Sequence, residues 1–216
     1  SNMIKKVLTL LILLPSVVTA TTQANSNAAL KMLQEQAKHF EQRVVQLTEN
    51  VYVAVGFHGA NTSMIVGNDG IIIVDTLLGP TAAANAFKAF RKYSDKPVKA
   101  IIYTHSHPDH IGGASAFVGD ERPPVYATKG FRSATGIGRD LAPIIMRRGV
   151  WQFGRKLPTE QITNRGIAPA RTIDDDRGAG YLPPTVAING DTMVSVAGVD
   201  LEIYPAPGET DDALFI

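Results

Sequence analysis

The stretch "IIYTHSHPDHIGG", residues 101–113, contains three of the five histidines in this chain of 216 residues. It continues an apolar run, "VKAIIYT" at 98–104, of the kind found in strands that are buried on both faces of a sheet. The histidines therefore come at the end of a buried strand, where ionisable side chains are costly unless they are paired or bind a metal ion. The stretch predicts a metal site at that strand end.

Two pairs of ligands follow one another in this stretch. Side chains alternate along an extended chain, so His105 and His107 point the same way and can bind one ion. Asp109, also predicted to be catalytic, and His110 can hold a second ion beside the first, as in two-metal hydrolytic sites. The chain has no cysteine, so the ligands are nitrogen and oxygen, which suits two Zn²⁺ ions, with manganese or iron as alternatives. In the alternative interpretation, the same polar residues cap the strand and open a helix at Gly112–Gly113.

Length and composition favour one globular domain behind an export signal. A chain of 216 residues with 44% hydrophobic content is sufficient for a buried core. Residues 1–20 have the layout of a secretory signal, with a basic start, a short apolar run and small residues that end at Ala20. Ser1 and Asn2 precede Met3 and resemble a vector remnant. We therefore expect a periplasmic or secreted protein with no stable membrane span after cleavage, and an uncleaved anchor is the alternative.

Charge and cysteine content narrow the classes of partner. Removal of the signal takes away two lysines and leaves 19 basic against 20 acidic side chains, a formal charge of −1. No basic patch indicates nucleic-acid binding. Without cysteine the chain has no disulfides and no thiolate metal ligands. The expected partner is a small-molecule substrate.

The hydrophobic period changes along the chain. Helical spacing in residues 25–43 predicts an amphipathic helix that leads into the domain and packs or tethers it. Alternating apolar residues then predict a β-meander of four strands between residues 44 and 76. The later segments predict a helix that starts at Pro80, strands at 98–104 and 124–128, a helical stretch at 130–154 with a kink or restart at Pro143, a surface loop at 154–184 and final strands.

The metal stretch carries a family resemblance. The segment "THSHPDHIGG", residues 104–113, is similar to the H-x-H-x-D-H signature of the metallo-β-lactamase superfamily. The resemblance extends over residues 44–216, with "IIIVDT" (71–76) and "PAPGETDD" (205–212) in the superfamily's order. It implies an α/β (α+β) fold, an αββα sandwich with a two-metal site at the sheet edges. It also implies that Asp75 orients the metal loop through hydrogen bonds, and a strand-ending turn residue is the alternative.

Glu209 narrows the resemblance. Most members of the superfamily place a metal-binding histidine directly after a Pro-Gly pair, whereas here Pro207-Gly208 precedes Glu209. A glutamate in this segment is similar to the alkylsulfatase branch, although that branch usually has it one position later, in a P-G-T/S-E context. The segments "NTSMIVGNDGIIIVDT", "KAIIYTHSHPDHIGG" and "MRRGVWQFGRKLP" resemble the same branch in the same order. The resemblance implies a fifth metal ligand at Glu209, with a solvated turn carboxylate as the alternative.

The function implied by this branch is cleavage of alkyl or aryl sulfate esters to alcohol and sulfate with a metal-bound hydroxide. Superfamily members draw a bridging carboxylate and a last histidine from residues after the "PGETDD" segment, and this chain ends at Ile216 inside a predicted strand. The resemblance therefore implies a sandwich that lacks its C-terminal part and, for a longer protein, a homodimer. Another hydrolase of this fold, acting on β-lactams, lactones, thioesters or phosphoesters, and an inactive metal-binding fragment stay open as alternatives.

Three further residues are candidates for substrate binding. Arg147 and Arg148 could bind sulfate oxygens, although adjacent helix positions let at most one face the site. The alternative for this pair is a solvated helix end. His58 lies in a glycine-flanked loop that could face the metals, and an exposed loop residue is its alternative. Trp151 and Phe153 are predicted to be core residues.

Overall fold

The computed structural model describes residues 27–131, 142–154, 156–158, 161–170 and 176–216. The predicted signal at 1–20 and residues 132–141 of the predicted helical stretch lie outside these ranges. The strands are β1 (Arg43–Gln46), β2 (Val51–Val55), β3 (Thr62–Val66), β4 (Ile71–Val74), β5 (Val98–Ile102), β6 (Val125–Thr128), β7 (Val186–Ile188), β8 (Thr192–Val196), β9 (Val199–Pro205) and β10 (Leu214–Phe215). The helices are α1 (27–37), α2 (Pro80–Phe90), α3 (Pro108–Ile111) and α4 (Ala142–Gln152).

Seven strands form one mixed sheet in chain order, from β1 to β7. The first four pair antiparallel, as the hairpin signals predicted. β4, β5, β6 and β7 run parallel to one another. Parallel neighbours need a long connection, and α2 forms the crossover between β4 and β5. The carboxyl ends of the parallel strands therefore lie at one edge of the sheet.

The two central strands are buried on both faces. In β4, Ile71, Ile72 and Ile73 are all fully buried. Ile71 and Ile73 pack in the core that includes Ala83 and Phe90 of α2, because side chains alternate between the two faces of a strand. Ile72 lies on the opposite face of the sheet and packs in a second core. The strand is apolar at every position because each of its faces contacts a core.

A second sheet, in the order β10-β9-β8, covers the face of the large sheet opposite α2. Leu201 and Ile203 of β9 pack against Ile72 and Ile102 of the large sheet. The layers are helix, sheet and sheet, so the two-sheet sandwich predicted for this chain is confirmed. None of the described helices is both long and apolar enough to cross a membrane.

The N-terminal helix is shorter and less packed than its sequence predicted. A 3₁₀ turn follows α1 and ends at Phe40, and Arg43 already belongs to β1. Leu30 and Leu33, expected on a packed face, are 44% and 43% exposed. Residue spacing shows that a helix has an apolar face but does not show that a neighbour covers it.

Hydrogen bonds tie α1 to the long loop instead. Gln36 Nε2 donates to the carbonyl of Gly166 at 3.0 Å, and Asn164 Nδ2 donates to the carbonyl of Leu33 at 2.8 Å. The described parts of the predicted loop at 154–184 contain no α-helix and no strand of the two sheets. Their only β-pairing is an isolated bridge between Asn164 and Pro169. In α4, Pro143 falls in the first turn of the described helix, where a proline is tolerated.

Candidate metal centre

The predicted ligands gather at the carboxyl edge of the parallel strands. Asp75 follows β4, and the segment from Thr104 to His110 follows β5. The short strand β10 joins the same edge, because the amide of Leu214 donates to the carbonyl of Thr104 at 2.7 Å. This bond brings the "PGETDD" segment, about a hundred residues later, against the histidines.

Three side chains bring their ligand atoms close together at this edge of the sheet. One ligand atom each from His105, His107 and Glu209 lies within 4.8 Å of the others. Glu209 is the link, since its Oε1 lies 3.2 Å from His107 Nδ1 and its Oε2 lies 3.7 Å from His105 Nε2. His105 is buried, whereas Glu209 is mostly exposed. The cluster thus combines a buried histidine, His105, with an exposed carboxylate, that of Glu209.

Asp75 holds the neighbouring histidine and the start of the loop. Its Oδ2 lies 2.6 Å from His110 Nδ1 and 2.7 Å from Thr104 Oγ1. Its Oδ1 accepts from the amide of Thr104 at 2.8 Å. Asp75 is 6% exposed, and these three partners satisfy a carboxylate that would otherwise be costly to bury.

This network also selects which ring nitrogens carry hydrogen. Asp75 can only accept, so Nδ1 of His110 is the donor. The hydroxyl of Thr104 donates to Asp75, and its oxygen, 3.0 Å from His105 Nδ1, accepts from that nitrogen. In both neutral rings Nε2 is therefore the nitrogen with the lone pair. Thr104 was not among the sequence candidates, although it directly precedes the signature.

These residues fit a metal ion. Nε2 of His105 is buried and makes no hydrogen bond within the described part of the chain. It faces the His107 and Glu209 atoms, and two imidazoles with one carboxylate form a donor set that suits zinc. The ring of His110 is 4.1 Å from that of His105, centroid to centroid, and extends the donor set. Asp109 is not part of the convergent trio.

A second buried acid positions the loop that carries Glu209. Asp212 is 5% exposed. Its Oδ1 accepts from the amide of Ser106 at 3.4 Å and from the hydroxyl of Thr210. Its carbonyl accepts from Thr128 Oγ1 at 3.2 Å. The adjacent Asp211 is exposed, so these two neighbouring acids differ in their surroundings.

Close backbone contacts fix the base of the metal loop. A Cβ on Gly112 would lie 1.8 Å from the carbonyl oxygen of Leu78, and one on Gly113 would lie 2.3 Å from that of Thr76. Asp75 and Leu77 have φ values of 60° and 62°, in the left-handed region that costs free energy for residues other than glycine. The two glycines thus let the loop pack directly on the turn that orients Asp75.

The two histidines beside Asp75 have opposite pKa shifts. Burial lowers the pKa of His105, and the neighbouring His110 lowers it further. Burial also acts to lower the pKa of His110, but the hydrogen bond and the charge of Asp75 outweigh it, so that pKa is raised. In the metal-free protein, NMR titration should show His110 protonating above pH 6.5, the usual value for histidine, and His105 below it. Titration in the reverse order would contradict the Asp75 contact.

Replacing Asp75 with asparagine should weaken metal binding. Asparagine keeps the shape but not the charge, and loss of a partner that orients a ligand typically costs about 10- to 100-fold in metal affinity. The zinc dissociation constant, measured by competition with a chelator, is the readout. Asp95→Asn is a matched control, because Asp95 is exposed and lies before β5, away from its carboxyl end. Equal affinities in Asp75→Asn and Asp95→Asn would show that Asp75 does not act on the ligands.

A cleft of about 640 Å³ opens beside the cluster. His58, His107 and Asp109 line this cleft. Two predicted site residues, His58 and Asp109, therefore share it with the predicted metal ligand His107. Further lining comes from Arg165 and Arg177 of the long loop and from Leu78, Phe153 and Ile167. The volume falls in the range of small-molecule sites.

The structure also describes the candidates on α4. Arg147 and Arg148 are exposed and are not among the described residues that line this cleft, which agrees with the alternative of a solvated helix end. Trp151, predicted to be core, is 72% exposed, while Phe153 lines the cleft. The sequence of α4 shows which residues can face solvent, but it does not show which segment lies beside the cleft. The arginines that line the cleft come from the long loop.

Comparison with known proteins identifies the family. Residues 55–216 match the model of the metallo-beta-lactamase superfamily, which is most of the chain and includes the whole ligand cluster. The chain belongs to the metallo-β-lactamase superfamily. The fold and the resemblance predicted from the histidine signature are therefore confirmed.

Within the metallo-β-lactamase superfamily, the chain is similar to alkylsulfatases. It is 31% identical over 161 residues to a linear primary-alkylsulfatase of Pseudomonas sp. (strain ATCC 19151), covering 71% of this chain and 30% of that protein. It is 35% identical over 173 residues to an alkyl/aryl-sulfatase of Saccharomyces cerevisiae, covering 76% of this chain and 26% of the relative. A solved structure of a double mutant of a sec-alkyl sulfatase superposes with a TM-score of 0.67 at 25% identity, covering 84% of this chain and 30% of that chain. The chain thus spans less than a third of the length of these three proteins.

Proposed function

We propose that this member of the metallo-β-lactamase superfamily provides the metal-binding part of a zinc hydrolase. The enzyme would cleave alkyl or aryl sulfate esters to alcohol and sulfate. The observation that carries the proposal is Glu209 in contact with His105 and His107, at the position where the sequence resembles alkylsulfatases. The similarity to a primary-alkylsulfatase and to an alkyl/aryl-sulfatase supports the sulfate ester as the substrate class.

The proposed site holds two Zn²⁺ ions. His105, His107 and Glu209 converge and would hold one ion. His110, with its ring beside that of His105, and Asp109, on the cleft side, would serve the second. When bound, the ions lower the pKa of water and stabilise negative charge on substrate oxygens.

The chain's own residues prepare this chemistry. Asp75 and Thr104 keep Nε2 of His105 and His110 free of hydrogen, which is the form that binds a metal. The burial of His105 favours its neutral form, because desolvation penalises the imidazolium. Asp109 lines the cleft beside His107, so a second ion held by its carboxylate would face the substrate.

Sulfate release tests the proposal directly. Full-length protein loaded with zinc should release sulfate from octyl sulfate and phenyl sulfate, and a His105→Ala variant should lose nearly all of this activity. A lactone, a thioester, a phosphoester and a β-lactam serve as competing substrates. Release of no sulfate, together with hydrolysis of one of the competitors, would assign the site to another hydrolase of this fold.

We also propose that the protein is exported, on the basis of the signal-like residues 1–20. N-terminal sequencing of protein recovered from the periplasm or medium should begin close to residue 21. Recovery only from the cytoplasm with residues 1–20 still present would contradict export.

A further inference from the structure

Two arginines of the long loop face the cleft beside the metal cluster. Arg165 and Arg177 line the same cleft as His107 and Asp109. Within the described part of the chain, neither guanidinium makes a salt bridge, although Asp109 lines the same cleft. Among the described residues, these two guanidinium groups therefore lie in the cleft beside the metal cluster without a carboxylate partner.

The backbone around Arg165 is held in place. Its amide donates to the carbonyl of Ala168 at 2.9 Å, and Asn164 Oδ1 accepts from the amide of Gly166 at 2.8 Å. Ala168 is buried, and the hydrogen bonds to α1 fix the same turn from outside. Arg165 itself is half-buried. Its side chain thus starts from a fixed point in the cleft wall.

The backbone around Arg177 is attached to the base of the metal loop. The preceding Asp176 accepts from the amide of Thr81 through Oδ2 at 2.6 Å, at the first turn of α2. The amide of the following Gly178 donates to the carbonyl of Leu78 at 2.8 Å. Leu78 is also the residue against which Gly112 packs. The backbone at both arginines is therefore attached to neighbouring segments, whereas the side chain of Arg177 is exposed in the cleft.

We propose that Arg165 and Arg177 bind the sulfate group of the substrate at the mouth of this cleft. A guanidinium presents two parallel N–H groups that match two oxygens of a tetrahedral oxyanion. Leu78, Phe153 and Ile167 line the rest of the cleft and accommodate an apolar chain attached to that group. The assignment rests on the proposed function for its substrate and replaces the role predicted for Arg147 and Arg148.

Substitutions separate this role from a general effect of charge. In zinc-loaded full-length protein, Arg165→Ala and Arg177→Ala should each raise KM for octyl sulfate and weaken binding of inorganic sulfate about tenfold, which is the loss of one charge-assisted contact. The effect on kcat should be smaller than the effect on KM, and zinc content should not change. Arg165→Lys, which keeps the charge and the stem but not the fork, should fall between wild type and Arg165→Ala. Arg148→Ala is the matched control, since Arg148 is exposed outside the cleft.

The outcomes distinguish this inference from the proposed function. If the double variant keeps its zinc and binds sulfate and octyl sulfate as wild type does, the arginine site is wrong and the sulfatase proposal stands. Equal losses in Arg148→Ala would also contradict the site. If wild type hydrolyses no sulfate ester but binds inorganic sulfate in a way that depends on Arg165 and Arg177, the sulfatase proposal fails and the oxyanion site stands. Sulfate binding by calorimetry is therefore measured on every variant, whether it is active or not.

Discussion

Replacing Glu209 with glutamine is expected to reduce zinc affinity by more than about 100-fold. Glu209 is the carboxylate that approaches both His105 and His107, so its neutral amide removes a charged ligand from the cluster. The loss should exceed the 10- to 100-fold typical of residues that only orient a ligand. Chelator competition measures the affinity, and hydrolysis of octyl sulfate should fall in parallel.

Asp211→Asn is the control for this change. Asp211 lies two residues away in the same segment, is exposed, and has no part in the trio of ligand atoms. The two variants change net charge equally, so a difference between them reports contact with the metal rather than the local field. Equal affinities for wild type and Glu209→Gln would show that Glu209 is a solvated turn residue.

Replacing Gly112 with alanine is expected to reduce the free energy of unfolding by on the order of 3 kcal/mol. The new methyl group would lie 1.8 Å from the carbonyl oxygen of Leu78, which is backbone and has little room to move. The metal loop would have to move away from the turn at Leu77, so zinc affinity should also fall. Urea denaturation of the metal-free protein measures the stability without the contribution of bound zinc.

Gly119→Ala provides the matched control. A Cβ there would meet nothing within 4 Å, so the change should stay within about 0.5 kcal/mol of wild type. If Gly112→Ala were as stable as Gly119→Ala, the glycine pair would not be needed for close packing. The "IGG" end of the signature would then need another explanation.

The sequence predicted the local elements of this fold well and its contacts less well. The triple isoleucine of β4 and the apolar run of β5 predicted strands buried on both faces, because alternation places such residues in two cores. The apolar face of α1 predicted packing at Leu30 and Leu33, which the structure leaves exposed. Periodicity is local information, whereas burial depends on which element lies opposite.

The same distinction applies to the site. The four predicted ligands in the stretch from His105 to His110 are close in sequence, so spacing alone grouped them; of these, the structure brings His105 and His107 together with Glu209. Thr104, Arg165 and Arg177 carried no such signal, since a threonine before a histidine or an arginine in a loop is common. Their relation to the cluster arises from hydrogen bonds that join the loop and strand ends across many residues. Glu209 was predicted only through the family resemblance.

A crystal structure of the zinc-loaded protein with anomalous data at the zinc edge would test the central claim most directly. We predict a zinc ion bonded to Nε2 of His105, an imidazole nitrogen of His107 and a carboxylate oxygen of Glu209, at about 2.0–2.2 Å. Zinc at any site that excludes His105 and His107, or bound to these histidines with Glu209 directed into solvent, would contradict the metal centre described by this geometry.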